Sequence, residues 1–415
     1  MNILATYGLN EICPAFREHK EVSCTIYRRM DLRVRPILNG LGGPSYESNK
    51  LISMRACMRI AWFAGLVAIA LLLPARAWTA EKVSDRDIDR TVSRGLDWLA
   101  SRQSRLGHWT APEGRFPTAI TALSATALLC EGSTTTQGKY SGNIQRAVNY
   151  LVSHANKRTG LLGSREDDRY TYGHGFSMLF LSQVLGEEED SDRRKELIEV
   201  LINAVKFTGQ AQTAAGGWGY VSAKDGGDFD EGSTTITQVQ GLRGCRNAGI
   251  PVPKEIIDKA VKYIRKCTGA DGGVAYNSHG GGGRPPITAA AIACLFNAGD
   301  YDSQKGDNEG DKDKREKVEF VRKMMKYCAQ NLGSSANANL SFGHWHYAHY
   351  YYSQVLYREG GDQWNAYRKE TYARLVAEVN TNGYWEQGFM GAAYTTAMNL
   401  TILQLDRGTL PIYQR

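Results

Sequence analysis

The stretch Gly216-Gly217-Trp218-Gly219-Tyr220 decides the fold, because variants of it return along the chain. They are Leu106-Gly107-His108-Trp109, Thr159-Gly160-Leu161-Leu162, Asp271-Gly272-Gly273-Val274-Ala275-Tyr276 and Asn382-Gly383-Tyr384-Trp385. The glycines recur with a period of about 55 residues, the mark of stacked supersecondary units rather than one ordinary core. Gly272 and Gly383 stand close to two periods apart, so a degenerate copy is expected near 330–345.

Between the glycine loops the chain reads as pairs of helices. One member of each pair has apolar residues at three- and four-residue spacing with charges between: Asp89–Gln103, Asn143–Asn156, Arg193–Gln212, Pro253–Thr268, Arg315–Asn331 and Trp364–Asn380. The other member follows a glycine loop and is nearly free of charge: Phe116–Cys130, Tyr172–Leu185, Thr235–Asn247, Ile287–Asn297, Trp345–Tyr357 and Tyr394–Leu405. A helix with no charged face belongs inside. Thr118, Ser233, Thr288 and Thr395 sit near the starts of these inner helices, where N-capping is expected. Six amphipathic outer helices around six inner ones give an all-α fold, an (α/α)6 toroid with the glycine loops at its open end. A ligand pocket is expected at that end. The charged run Asp302–Lys317 reads as a solvated insertion.

Three regions follow from the same pass. Residues 1–53 read as a mis-called start or a leader, 54–80 as a signal peptide and 81–415 as the toroid. The signal reading rests on Arg55 and Arg59, the apolar run Ile60 to Leu73 and the small-x-small pattern Ala75-Arg76-Ala77. The run falls short of the roughly 20 residues a membrane-spanning helix needs, so export to the periplasm or cell envelope is expected. Cys130, Cys245, Cys267, Cys294 and Cys328 follow the signal; they are odd in number, lie in helical patterns and form no C-x-x-C pair, which argues for free buried thiols. Net charge is +7 with no basic stripe interleaved with aromatics, so no nucleic acid is expected as partner. An apolar small molecule is, and a membrane surface stands as a further partner.

The loop-and-helix pattern resembles the prenyltransferase and squalene oxidase repeat family, which includes the squalene–hopene cyclases. The stretches that carry the resemblance are Gly216 to Tyr220, Glu231-Gly232-Ser233-Thr234-Thr235 with Gln238, Gly241 and Leu242, Asn247 to Pro253, and the C-terminal Tyr394-Thr395-Thr396-Ala397 to Arg415. The resemblance spans roughly residues 85–415 and implies a toroid that handles an isoprenoid. Fold alone does not set the reaction.

Cyclisation of a polyprene begins when a protonated carboxylic acid in a dry cavity attacks an alkene or epoxide, and aromatic faces then stabilise the carbocations. In squalene–hopene cyclases that acid lies in an Asp-x-Asp-Asp-Thr motif opening an inner helix. Two registers place the motif here. One uses Asp228-Phe229-Asp230-Glu231 and makes Asp230 the acid, with Asp228 and Glu231 beside it. The other aligns Glu231-Gly232-Ser233-Thr234-Thr235 and leaves Ser233 at the acid position. Helix phase favours the second, in which Asp228 and Asp230 belong to a solvated loop. The acidic run Glu166-Asp167-Asp168 suits the positive end of the helix that follows it. Trp218, Tyr220, Ser233, Tyr276, Trp345, Tyr350, Tyr384, Trp385 and Tyr394 crowd the loops and inner-helix starts and are the candidate ligand contacts, although glycine–tryptophan loops also serve as braces. No cofactor is expected. The one metal that fits is zinc, at His344, His346 and His349 with His174 or His279 added from other units; hydrogen-bonded core histidines are the plainer alternative. The functional expectation is an isoprenoid-handling enzyme, set against a non-catalytic toroid that binds a lipid, a peptide or an exported protein.

Overall fold

In this computed structural model, residues 83–299, 312–332, 344–386 and 388–414 are described. The signal reading at 54–80, the degenerate loop near 330–345 and most of the charged run Asp302–Lys317 lie outside them, although Lys312 to Lys317 is already helical. Amphipathic periodicity makes the outer helices α1 (Asp85–Ser101), α3 (Ser141–Ser153), α5 (Ser191–Ala211), α7 (Lys254–Cys267), α9 (Lys312–Leu332) and α11 (Gly361–Glu378). In α1 a capping box of Ser84 and Asp87 starts the helix, and Ile88, Val92, Leu96 and Leu99 form the buried stripe.

The charge-poor sequences form α2 (Pro117–Leu129), α4 (Tyr170–Glu187), α6 (Gly232–Asn247), α8 (Pro285–Ala298), α10 (His344–Glu359) and α12 (Gly391–Leu403). Every residue of α2 from Thr118 to Leu129 is buried, so no face of it meets water. Each inner helix packs on the next, and α12 returns onto α2, which closes the ring. The protein is therefore an all-α toroid. No helix among the described residues is long and apolar enough to cross a membrane. Cys130, Cys245, Cys267, Cys294 and Cys328 are buried and form no disulfide among the described residues, as their helical settings imply.

Thr118, Ser233, Thr288 and Thr395, expected as caps, all lie inside their helices rather than at the N-cap. The inner helices α2, α4, α8 and α12 begin at Phe116, Arg169, Arg284 and Met390, and none of these makes a side-chain cap. Instead Thr121, Thr235, Thr288 and Thr396 each accept the backbone N–H of a loop residue, Trp109, Trp218, Val274 and Trp385, at 2.9–3.2 Å. This ties every such loop to the helix it precedes. The loop glycines face the neighbouring outer helix: at Gly216 (φ +98°) a Cβ would sit 2.5 Å from the Lys259 carbonyl oxygen, so the approach leaves room only for hydrogen.

The lower end of the ring is closed by the chain's own C-terminus. Pro411–Tyr413 packs on α6, the Ile412 N–H reaches Gln183 Oε1 at 3.3 Å, and Tyr413 and Tyr350 share a hydroxyl hydrogen bond of 2.7 Å. The upper end, where the inner helices begin, carries the candidate site.

Candidate functional site

Glu231 occupies the N-cap of α6, and its carboxylate accepts the Thr234 N–H at 2.9 Å. The Ser233 hydroxyl lies 2.6–2.8 Å from both carboxylate oxygens, and the Tyr172 hydroxyl of α4 bonds to Ser233 and stands 3.5 Å from Glu231 Oε2. From α10, the Tyr347 hydroxyl donates to the Ser233 carbonyl at 3.2 Å. Tyr220 and Tyr276 join their hydroxyls above, with the Tyr220 ring 6.0 Å from that of Tyr172. Glu231 is 1% exposed, whereas Tyr172, Tyr220, Tyr276 and Tyr347 keep partial exposure, so the group forms a recess with the acid at its base. Phe229 lies at the lip, 5.8 Å from Tyr220, and is exposed.

Burial raises the Glu231 pKa, and its hydrogen bonds to Ser233 and Thr234 partly offset that rise. Among the described residues Glu231 is the carboxylate whose field reaches Tyr172, Tyr220, Tyr276 and Tyr347 alike. The geometry offers one buried acid under aromatic faces. Among the described residues this recess holds no facing second carboxylate of the kind glycoside hydrolysis uses.

Asp230 is buried, at 1% exposure, rather than in the solvated loop expected for it, and it points elsewhere. Its carboxylate accepts the Tyr263 hydroxyl of α7 at 2.9 Å, the Ser278 N–H at 2.7 Å and the Ser278 hydroxyl at 2.5 Å, which fastens the loop after Tyr276 to the outer layer. Asp228 is exposed at positive φ and accepts the Ala214 N–H. The threonine-aligned register therefore describes the local backbone: α6 starts after Glu231, with Ser233 in its first turn.

The candidate ligand contacts divide in two. Tyr220, Ser233 and Tyr276 lie at or within the recess, and Tyr394 of α12 stands near Tyr347. Trp218 and Trp385 are fully buried braces whose indole N–H groups bond the Thr208 and Leu375 carbonyls at the ends of their own outer helices, and Trp109 does the same to Leu99. Tyr384 stacks on Trp98 of α1 at 4.4 Å, Trp345 stacks on His349 at 4.1 Å under Arg374, and Tyr350 belongs to the floor with Tyr413. Two surface clefts, of about 510 and 300 Å³, lie along the outer helices rather than in the ring; the larger is lined by Arg94, Asp97, Trp98, Ser101, Arg102 and Asn382.

The histidines do not assemble a ligand set. His344 is exposed at the start of α10, His346 Nδ1 meets Asn399 at 2.9 Å on α12, and His349 Nδ1 meets the Tyr367 hydroxyl at 2.7 Å on α11. Burial presses His349 down to about 3. His174, offered as a fourth ligand, takes the threonine's place in its repeat. Its Nδ1 accepts the Leu162 N–H at 3.0 Å and its Nε2 faces Thr208 at 2.9 Å, in a setting whose burial holds the pKa at about 3. His279 is exposed in the loop after Tyr276. No group of three His, Cys, Asp or Glu side chains among the described residues has metal-binding spacing.

Three kinds of residue escaped the sequence reading. Tyr172 looked like an ordinary helix start. Gln103 and Gln212, which bond both their own loop and the next outer helix (Asn143 and Ile256 carbonyls, 2.9 Å each), fall at the same offset from Gly107 and Gly216, a signal that the repeat alignment carries. Arg169 and Arg284 had no motif to mark them.

Comparison with known proteins shows the fold. No family model and no curated protein matches this chain. A possible GH105-family protein from Salmonella enterica serovar Paratyphi A aligns at 11% identity and TM-score 0.52, covering 80% of this chain and 96% of its own. A D-mannose isomerase aligns at 10% identity and TM-score 0.53, covering 78% and 98%. The type II terpene cyclase MstE from Scytonema aligns at 14% identity, over 78% of this chain and all of its own, with a TM-score of 0.49. At these identities the likeness is one of toroid architecture, and chemistry has to come from the site. The class defined here is a single-ring α-toroid with a tyrosine-walled recess over one buried glutamate.

Proposed function

We propose that this toroid takes an apolar small molecule, an isoprenoid being the class its sequence resemblance implies, into the tyrosine-walled recess, where Glu231 serves as the acid. The observation that carries the proposal is a carboxyl group buried under Tyr172, Tyr220, Tyr276 and Tyr347, with burial favouring its neutral form. A neutral acid in that place protonates an alkene, and tyrosine faces stabilise the cation that results. Protonation is favoured at the lower end of the pH range, so turnover falls as pH rises through the raised Glu231 pKa. The apolar run and cleavage pattern at 54–80 support export as part of this proposal, and N-terminal sequencing of the mature protein tests it.

A second reading has its own support. The Ser233, Thr234 and Tyr172 bonds hold Glu231 as a helix cap, which suits a toroid that binds a lipid, peptide or exported protein without converting it. Glu231→Gln separates the two, because the amide oxygen still caps Thr234. With linear polyprenes as substrates, the acid reading expects turnover to drop about 10²-fold or more while binding changes little. Binding without turnover in the unaltered protein supports the second reading.

A further inference from the structure

Two arginines converge on the rim of the recess. The Arg169 guanidinium lies 4.3 Å over the Tyr220 ring and that of Arg284 lies 5.1 Å over the Tyr276 ring. The two tyrosine hydroxyls are bonded to each other, so both cations address one patch. Burial raises the Tyr276 phenol, and both arginines pull it back, which places both charges near the same oxygen. Neither arginine has a buried ion-pair partner among the described residues. Arg284 makes no ion pair among the described residues, and the carboxylate beside Arg169 is Asp168, at 4.0 Å and open to solvent. An exposed pair at that distance contributes little.

Resting a guanidinium on a ring fixes its plane and leaves its N–H edges available, a fork that matches carboxylate or phosphate. Below the rim the setting is aromatic and desolvated, and burial there favours the neutral form even of Glu231, so a charged group is disfavoured deeper. The recess thus favours a negative charge at its lip and an uncharged body against Tyr172 and Tyr347.

We infer that the ligand is an amphiphile whose acidic head, carboxylate or phosphate, is held between Arg169 and Arg284. This rests on the recess being the ligand pocket. The guanidinium groups make no cap to α4 or α8, so Arg169→Met with Arg284→Met retains the stems and removes the charges.

Calorimetric titration of the unaltered protein and the double variant with decanoate, decyl phosphate and decanol tests the inference, with thermal melting as the folding control. The unaltered protein is expected to bind one or both acids about tenfold or more tighter than the alcohol, the scale of one charge-assisted hydrogen bond. The double variant is expected to bind all three like the alcohol. The preferred acid tells carboxylate from phosphate. Equal binding of acids and alcohol by the unaltered protein, or a preference that survives the double variant, overturns the inference and leaves the pocket standing. No binding of any of the three overturns the pocket and the inference with it.

Discussion

Acidification from pH 7 to pH 5 will destabilise the toroid through two buried histidines, and His174→Asn will remove about half of that loss. Burial holds His174 and His349 at a pKa of about 3, whereas the unfolded chain titrates near 6.5. Between those values the unfolded chain binds protons that the folded protein refuses, so this stability is complete above about pH 6.5 and is lost as pH falls toward 3. With 2.303RT per proton, each histidine costs about 2 kcal/mol between pH 7 and pH 5, and the pair about 4. Glu231 acts in the opposite sense, since its raised pKa favours the folded state as pH falls, but its effect is common to both proteins. The asparagine oxygen can still accept the Leu162 N–H that His174 Nδ1 accepts, so the loop keeps its tie while the titration disappears. Urea unfolding at the two pH values gives the difference directly. The same pH loss in both proteins, each near 4 kcal/mol, would refute the assignment of His174 as a buried neutral group.

Gly216→Ala places a methyl group 2.5 Å from the Lys259 carbonyl oxygen at φ +98°, and the expected loss is about 2 kcal/mol or more, read from the unfolding midpoint. Asp230→Asn leaves Ser278 and Tyr263 less firmly held and is expected to cost about 1–3 kcal/mol and speed proteolysis within residues 277–283. Ligand binding and turnover should persist in that variant, and their abolition in a folded protein would return Asp230 to the role of acid. Glu231→Gln, by contrast, should remove turnover and retain binding.

The architecture was legible because its two signals are local. Glycine loops mark each repeat, and a helix such as Pro117–Leu129, with no charge at all, has only the interior to occupy. Helix ends were read less well: Thr288, expected near a cap, holds a loop instead, and Thr121, Thr235 and Thr396, which do the same, are recognisable as loop anchors only once the loop is seen folded back on its helix. The recess was legible in part. Ser233, Tyr220 and Glu231 lie within one stretch of chain, but Tyr172 and Tyr347 come from other inner helices, and closure of the ring alone brings them together. Tryptophan is ambiguous in sequence for a related reason. Its size suits a ligand wall as well as a brace, and the Thr208 carbonyl that the Trp218 indole bonds belongs to the preceding helix.

The C-terminal clasp has a consequence for how the protein is made. Gln404 bonds the Ala127 carbonyl at 3.1 Å and Thr409 the Cys130 carbonyl at 3.0 Å, so the last residues fasten onto the second helix of the toroid. A nascent chain cannot make these contacts until residues 404–409 leave the ribosome. Until α12 is made, α2 lacks that neighbour, and one side of a helix without charge stays uncovered. Premature termination anywhere before the clasp should therefore yield an open, sticky arc rather than a smaller ring, which makes this chain a demanding client for chaperones.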